Sequence, residues 1–351
     1  MEHWIEELIA CLLPAPGTEA NARQFLLLKD AKIPPLLYRY MSVKPESLET
    51  LAGDHVWLTS PAKYNDPFDS TFTYSMHDAF KPIVRQHFDH LVVRGFGHLL
   101  TPEDVEFCRH QDDPLQHVVR LGLSRFPEWD GDALGFLRPI VDRIAGGEVA
   151  RWSGPLRDRL RICCFTTDRT NALMWAHYAD SHKGLCVEYP FGSLPRGDER
   201  RRFLFPVAYR GSLFDATAHV VHRMEHVVEG TPDKTNPFFI VGAAMTKASE
   251  WAYEQEWRYI IPPGCAPEGY WPAPKPSRVM LGAMISAENE DQVRRLAEDR
   301  GIPVQRMALS HREYRVIEAE PAAVEIPADP AEVALVAEEV DRVRRSRIPV
   351  T

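Results

Sequence analysis

Cysteine is scarce in this chain, six in 351 residues, and two of the six, Cys163 and Cys164, are adjacent. No disulfide ladder and no CxxC pair can be drawn from that set, so the thiols read as buried groups of a reducing compartment. No apolar run is long enough to span a bilayer, and the opening "MEHWIEELIACLLPAPG" carries acids where a secretory leader needs bases. A cytoplasmic protein without a membrane partner is expected. Basic excess is lacking as well: 41 Lys and Arg stand against 50 Asp and Glu, a formal charge of -9, which argues against general nucleic-acid binding. The clear basic run, "RVRRSR" (342–347), reads as a solvated helix end, where cations suit the helix dipole. There is no Walker loop, no GxGxxG after a strand, no GxSxG elbow, no protein-kinase set and no HExxH. These absences count against a P-loop triphosphatase, a Rossmann oxidoreductase, a common serine hydrolase and a zincin-like metal site.

What is present is an ordinary globular composition, 44% hydrophobic and 26% charged, enough for one large or two modest domains. Helical spacing over 2–13 and 21–35, each ended by proline, predicts a helical cap at 1–34. The period then changes. "LLYRYMS" (36–42) and "HVWLTSP" (55–61) read as strands around a short helix in "KPESLETLAGD" (44–54). Residues 75–158 show polar helical patterns and predict a helical insertion. Strands resume at 159–167, 183–190 and 203–210, with a short helix at 171–181 and another helix around 236–249. "YEQEWRYI" (253–260) reads as a strand, and 277–286, a helix at 288–300, 303–310 and 313–321 resemble an α/β closing unit. The expectation is an α+β core over 35–320, then a linker and tail helix (321–351).

"YEQEWRYI" is unusually charged for a strand. Alternation puts Glu254, Glu256 and Arg258 on one face and Tyr253, Trp257 and Tyr259 on the other. The plain structural reading is an edge strand with a solvated ionic face, Arg258 pairing one glutamate. The functional reading is a face lining a cleft, where a carboxylate stabilises positive charge or acts as a base. "SPAKYNDPFDS" (60–70) reads structurally as a turn, with an Asx-turn at Asn65, Pro67 fixing the backbone and Phe68 plugging the core. Asn65, Asp66 and Asp69 remain loop candidates for a site. In "MWAHYADSHKG" (174–184), Trp175 and Tyr178 read as a core stripe and His177 as a buried histidine, or together as an aromatic wall for a flat ligand ring. His177 and His182 are five apart, not the i, i+4 pairing of metal ligands, so no metal is expected. A nuclease reading would use Asp66, Asp69 and His77, clustered by sequence.

In order, "LYRY", "WLTSPAKYNDPFD", "CCFTT", "MWAHYADSHKGLCVEY" and "EQEWRYI" resemble the bacterial family known as domain of unknown function 2971, over roughly 36–320. That family sits among mobile-element and phage-defence genes, which implies a defence or toxin effector. The order of a Tyr-Arg strand, helix, strand, a Thr-bearing strand and a late ExE is also similar to NAD-dependent ADP-ribosyltransferases. This second resemblance implies a mixed-sheet core, NAD as substrate, and transfer of ADP-ribose or hydrolysis of NAD. It implies that Arg39, beside Tyr38, holds the dinucleotide, and that Thr166 or Thr167 shapes the nicotinamide pocket. Glu256 would contact the nicotinamide ribose, Glu254 would orient an unspecified macromolecular acceptor, and Tyr178 or Trp175, near His177, would stack on nicotinamide. "LTS" (58–60) competes with "FTT" for the threonine role, and Arg39 could instead be the partner of Asp66 or Asp69. The rival expectation is a non-enzymatic sensor of a nucleotide, peptide or phage component in a defence system.

Overall fold

The computed structural model describes residues 3–14, 18–94, 97–125, 154–232, 236, 238–319 and 342. Fourteen short strands follow one another along these residues: β1 Leu37–Met41, β2 His55–Leu58, β3 Phe72–Thr73, β4 Arg161–Thr166, β5 Leu185–Tyr189, β6 Leu204–Pro206, β7 Ala208–Arg210, β8 Phe214–Asp215, β9 Thr246–Ala248, β10 Glu256–Ile261, β11 Gly269–Pro272, β12 Arg278–Leu281, β13 Val304–Leu309 and β14 Val316–Glu318. Eight of them form one mixed sheet in the order β14-β13-β12-β5-β1-β4-β10-β6. Neighbours are antiparallel except β12 and β13. That pair is joined through the Ala287–Asp299 helix, because parallel strands need a crossover. The fold is α+β, with helices on both faces of the sheet.

Alternation along the strands assigns the two faces. Leu37, Met41, Val187, Tyr259 and Leu281 pack on one side with Leu51 of the Pro45–Ala52 helix and Val293 of the Ala287–Asp299 helix. On the other side, Ile162, Phe205 and Ile260 meet Leu8 of the His3–Leu12 helix and Val241 of the Phe239–Ala244 helix. Further along that side, Tyr40, Cys186 and Met280 meet Trp175 of the Ala172–Tyr178 helix. Local signals set the helix ends: Asn21, Ser75, Thr101, Asn171 and Ser286 each cap a helix through a side-chain oxygen.

The described part of 75–158 is helical, at Met76–Gln86, Pro102–Arg109 and Pro114–Ser124. The expected tail helix falls, apart from Arg342, outside the described residues. The strand expected at 203–210 divides into β6, on the main sheet, and β7, which pairs with β9. The helix expected at 236–249 ends early, at Ala244, and gives way to β9.

One register detail positions the site. β1 pairs with β5 over five residues and β10 with β4 over six, yet β1 meets β4 through the single pair Tyr38↔Thr166. The sheet therefore opens between β1 and β4.

Candidate functional site

A cavity of about 430 Å³ occupies that opening. Consecutive residues of both strands line it, Tyr38, Arg39 and Tyr40 from β1 and Ile162 to Thr166 from β4. Consecutive strand residues point to opposite faces, so a cavity reached by all of them lies in the gap between the strands. Tyr38, Thr166 and Glu256 form one row across β1, β4 and β10. Arg39 belongs to the face of Leu37 and Met41 and reaches the cavity through the gap.

At one end lies a buried ionic cluster. Arg258 is fully buried, and each of its five N–H groups has an acceptor. Nε and Nη2 donate to Glu256 at 2.8 and 2.9 Å, Nη1 and Nη2 to the two oxygens of Asp69 at 2.9 and 2.6 Å, and Nη1 also to the Ala244 carbonyl at 2.8 Å. Lys247 donates to Glu256 at 3.1 Å and to Glu254, and Tyr178 donates its hydroxyl proton to Glu254 at 2.6 Å. Three carboxylates thus face two cations.

The two glutamates titrate apart. Burial resists ionisation of Glu256, but Arg258 and Lys247 outweigh it and hold the carboxyl down at about 2. Burial and then repulsion from Glu256 push Glu254 up. Lys247 keeps its proton, because the carboxylates around it overcome the cost of burial. Burial also raises Cys163, to about 11, and Cys164, so these cavity thiols stay neutral at pH 7 and do not supply a thiolate nucleophile.

Arg39 differs from Arg258 in one decisive respect: among the described residues no hydrogen bond or ion pair engages its guanidinium, which lines the cavity. Asp69 is taken by Arg258, and Asp66 accepts the backbone N–H of Phe68 at 2.8 Å. The loop is therefore the counter-ion of Arg258, not of Arg39.

β10 is an interior strand buried at all six residues, not a solvated edge. It begins at Glu256. Glu254 sits on the preceding 3-10 turn, Ser249–Glu254, and Gln255, in the left-handed region at φ 45°, joins the two. Both glutamates still meet at Lys247, through this turn and not through strand alternation. Phe68 is 64% exposed and plugs no core, and the Asx-turn belongs to Asp66, not Asn65. His77 pairs with Asp113 at 3.1 Å, while Asp69 is locked to Arg258, so no nuclease trio assembles. Among the described residues no group of three or more His, Cys, Asp or Glu side chains could hold a metal.

Of the remaining candidates, Tyr38, Thr166, Tyr178, Asn65 and the exposed His177 line the cavity. Trp175 does not: it is fully buried, packs edge-on against Tyr40 at 5.1 Å and donates its indole N–H to the Arg169 carbonyl. Thr167 lies outside the lining and donates to the Gln255 side chain at 2.7 Å, whereas Thr59 of "LTS" joins Thr166 in the lining. Sequence reasoning missed Lys247, Tyr64 and Trp57. The overextended helix at 236–249 hid Lys247, a lone lysine in an apolar run.

Residues 174–259 match the model of a family described as protein of unknown function (DUF2971). The match runs from the Ala172–Tyr178 helix to β10 and so contains Tyr178, Lys247, Glu254, Glu256 and Arg258, while Arg39 and Asp69 lie outside it. No curated protein and no solved structure matches the chain.

Proposed function

We propose that the cavity binds NAD and breaks its nicotinamide–ribose bond, passing the ADP-ribosyl group to water or to a macromolecular acceptor. The observation that carries this reading is the meeting, in one cavity, of the Arg39 guanidinium, unpartnered among the described residues, with the Glu254–Glu256 pair. A guanidinium is always charged and its fork matches phosphate oxygens, so an enclosed one without a counter-ion calls for an anion such as a pyrophosphate. The rings of Tyr38, Trp57 and Tyr64 offer flat walls to a base or nicotinamide. When the bond breaks, its electron pair leaves with nicotinamide and the ribose becomes an oxocarbenium-like cation. The carboxylate cluster carries one excess negative charge when fully ionised, placed before that cation forms. Glu254 is the member raised toward neutrality, and it is suited to take the proton of the attacking water or acceptor hydroxyl.

One observation favours a second reading, a module that binds the same nucleotide without cleaving it: the Glu256 carboxylate is already satisfied by Arg258 and Lys247. Labelled NAD separates the two. On the enzymatic reading the wild type releases nicotinamide, and Glu256→Gln or Glu254→Gln lowers the rate on the order of a hundredfold. Saturable binding with no release, in the presence of a cell lysate as acceptor source, would transfer the case to the binding module.

A further inference from the structure

Away from the cavity, the Thr217–Glu229 helix contains "HRMEH" (222–226), which places His222 and His226 at i and i+4, the spacing that His177 and His182 lack. Their Nε2 atoms face each other at 3.3 Å, with ring centroids 4.6 Å apart. The far nitrogen of each ring has an oxygen behind it. His226 Nδ1 lies 2.7 Å from Thr231 Oγ1, and His222 Nδ1 lies 3.6 Å from Glu225 Oε2. Two neutral imidazoles bring Nε2 atoms this close in one of two ways: one N–H is donated to the other ring's lone pair, or both lone pairs point at a shared cation. Both fit the 3.3 Å separation, which is within reach of an N–H···N hydrogen bond and also matches two nitrogens bound to one tetrahedral zinc, about 3.3–3.4 Å apart. The surroundings of His226 favour the second, because a metal-bound histidine characteristically has its other nitrogen oriented by a hydroxyl, carboxylate or carbonyl oxygen, here Thr231 Oγ1 at 2.7 Å.

We propose that His222 and His226 chelate one divalent transition-metal ion through Nε2, with solvent completing its coordination. The donors are two imidazoles, which select Zn²⁺, Ni²⁺ or Cu²⁺ over the oxygen-seeking Mg²⁺ and Ca²⁺. The site is reachable, with the His222 side chain 23% and Glu225 27% exposed. His219, one turn earlier, is stacked near Phe214 and Phe239. The Thr231 N–H donates to the His226 carbonyl at 3.0 Å, so the ion would fasten the last turns of the helix.

The test is equilibrium dialysis of the full chain, stripped by chelator, against ZnCl₂. The wild type is expected to hold one more zinc than the His222→Ala/His226→Ala double variant and to melt higher in zinc, reversibly with EDTA. Thr231→Val should weaken that zinc by about tenfold or more. Equal zinc uptake by wild type and double variant would overturn the proposal. Should the double variant fail to fold, ring-proton NMR of the wild type decides: zinc must shift the His222 and His226 signals before those of other histidines, and a failure to do so counts against the site.

Discussion

Arg39 and Arg258 show how little residue type alone says about role. Arg258 is enclosed with every donor satisfied, so its removal strands Asp69 and Glu256 as buried acids short of a cation. Arg258→Met is expected to destabilise the protein by about 3 kcal/mol or more, read by chemical denaturation. Arg39 holds no partner among the described residues, so Arg39→Met should leave that denaturation curve near the wild type and weaken ligand binding instead. A stability loss as large as that of Arg258→Met would show Arg39 to be structural. Glu256 makes a pH prediction. Its folded pKa is depressed to about 2 from 4.5, so its contribution is fully present above 4.5 and is lost as pH falls towards 2. The stability difference between wild type and Glu256→Gln should therefore be flat from pH 5 to 7 and shrink below 4.5. Glu254 is shifted the opposite way and should not share that acid-side loss.

At the scale of elements, the Ala22–Lys32 helix is fastened through an uncommon group. Lys29 is fully buried and donates to the carbonyls of Arg201 and Arg202, with its ammonium 4.9 Å from the Phe205 ring centre. Burial lowers its pKa from 10.5 to about 7. A depressed lysine contributes stability that is present above its unfolded value and is lost as pH falls through the folded one. Relative to Lys29→Met, the wild type should thus gain stability as pH rises from about 7 towards 10.5, by up to about 1.4 kcal/mol per pH unit. A difference that does not change with pH would mean that Lys29 stays charged inside the fold. Element-scale patterns were also the most legible part of the sequence. The Leu37–Met41, Pro45–Ala52, His55–Leu58 opening and the closing α/β unit stand where hydrophobic period and proline or glycine punctuation place them. The turn at 249–255 was not legible, because its left-handed residue is Gln255 and no glycine marks it. β9 was hidden because its "TKA" continues an apolar run with helical spacing.

For the whole molecule, the cavity exists because β1 and β4 share one residue pair and then part, and no local pattern reports that. β1 takes its place in the sheet through contacts with residues more than a hundred positions away, such as Tyr38 with Thr166. The candidate residues were nevertheless recognisable as types. Charge in an otherwise apolar strand marked Glu256 and Arg258, and a polar loop after a strand marked Asp69. Their roles were not recognisable, since pairing Arg258 with Asp69 leaves Arg39 without a partner among the described residues, and only the fold decides which arginine takes the loop. On the proposed reading the Arg39 guanidinium, unpartnered among the described residues, grips an anion within the cavity. Calorimetric titration of NAD into wild type and Arg39→Met, with ADP-ribose and inorganic pyrophosphate as further titrants, tests it most directly. NAD is expected to bind the wild type saturably and to bind at least about tenfold more weakly to a variant that melts at the same temperature. Failure of all three anions to bind the wild type, or equal binding by Arg39→Met, would contradict it.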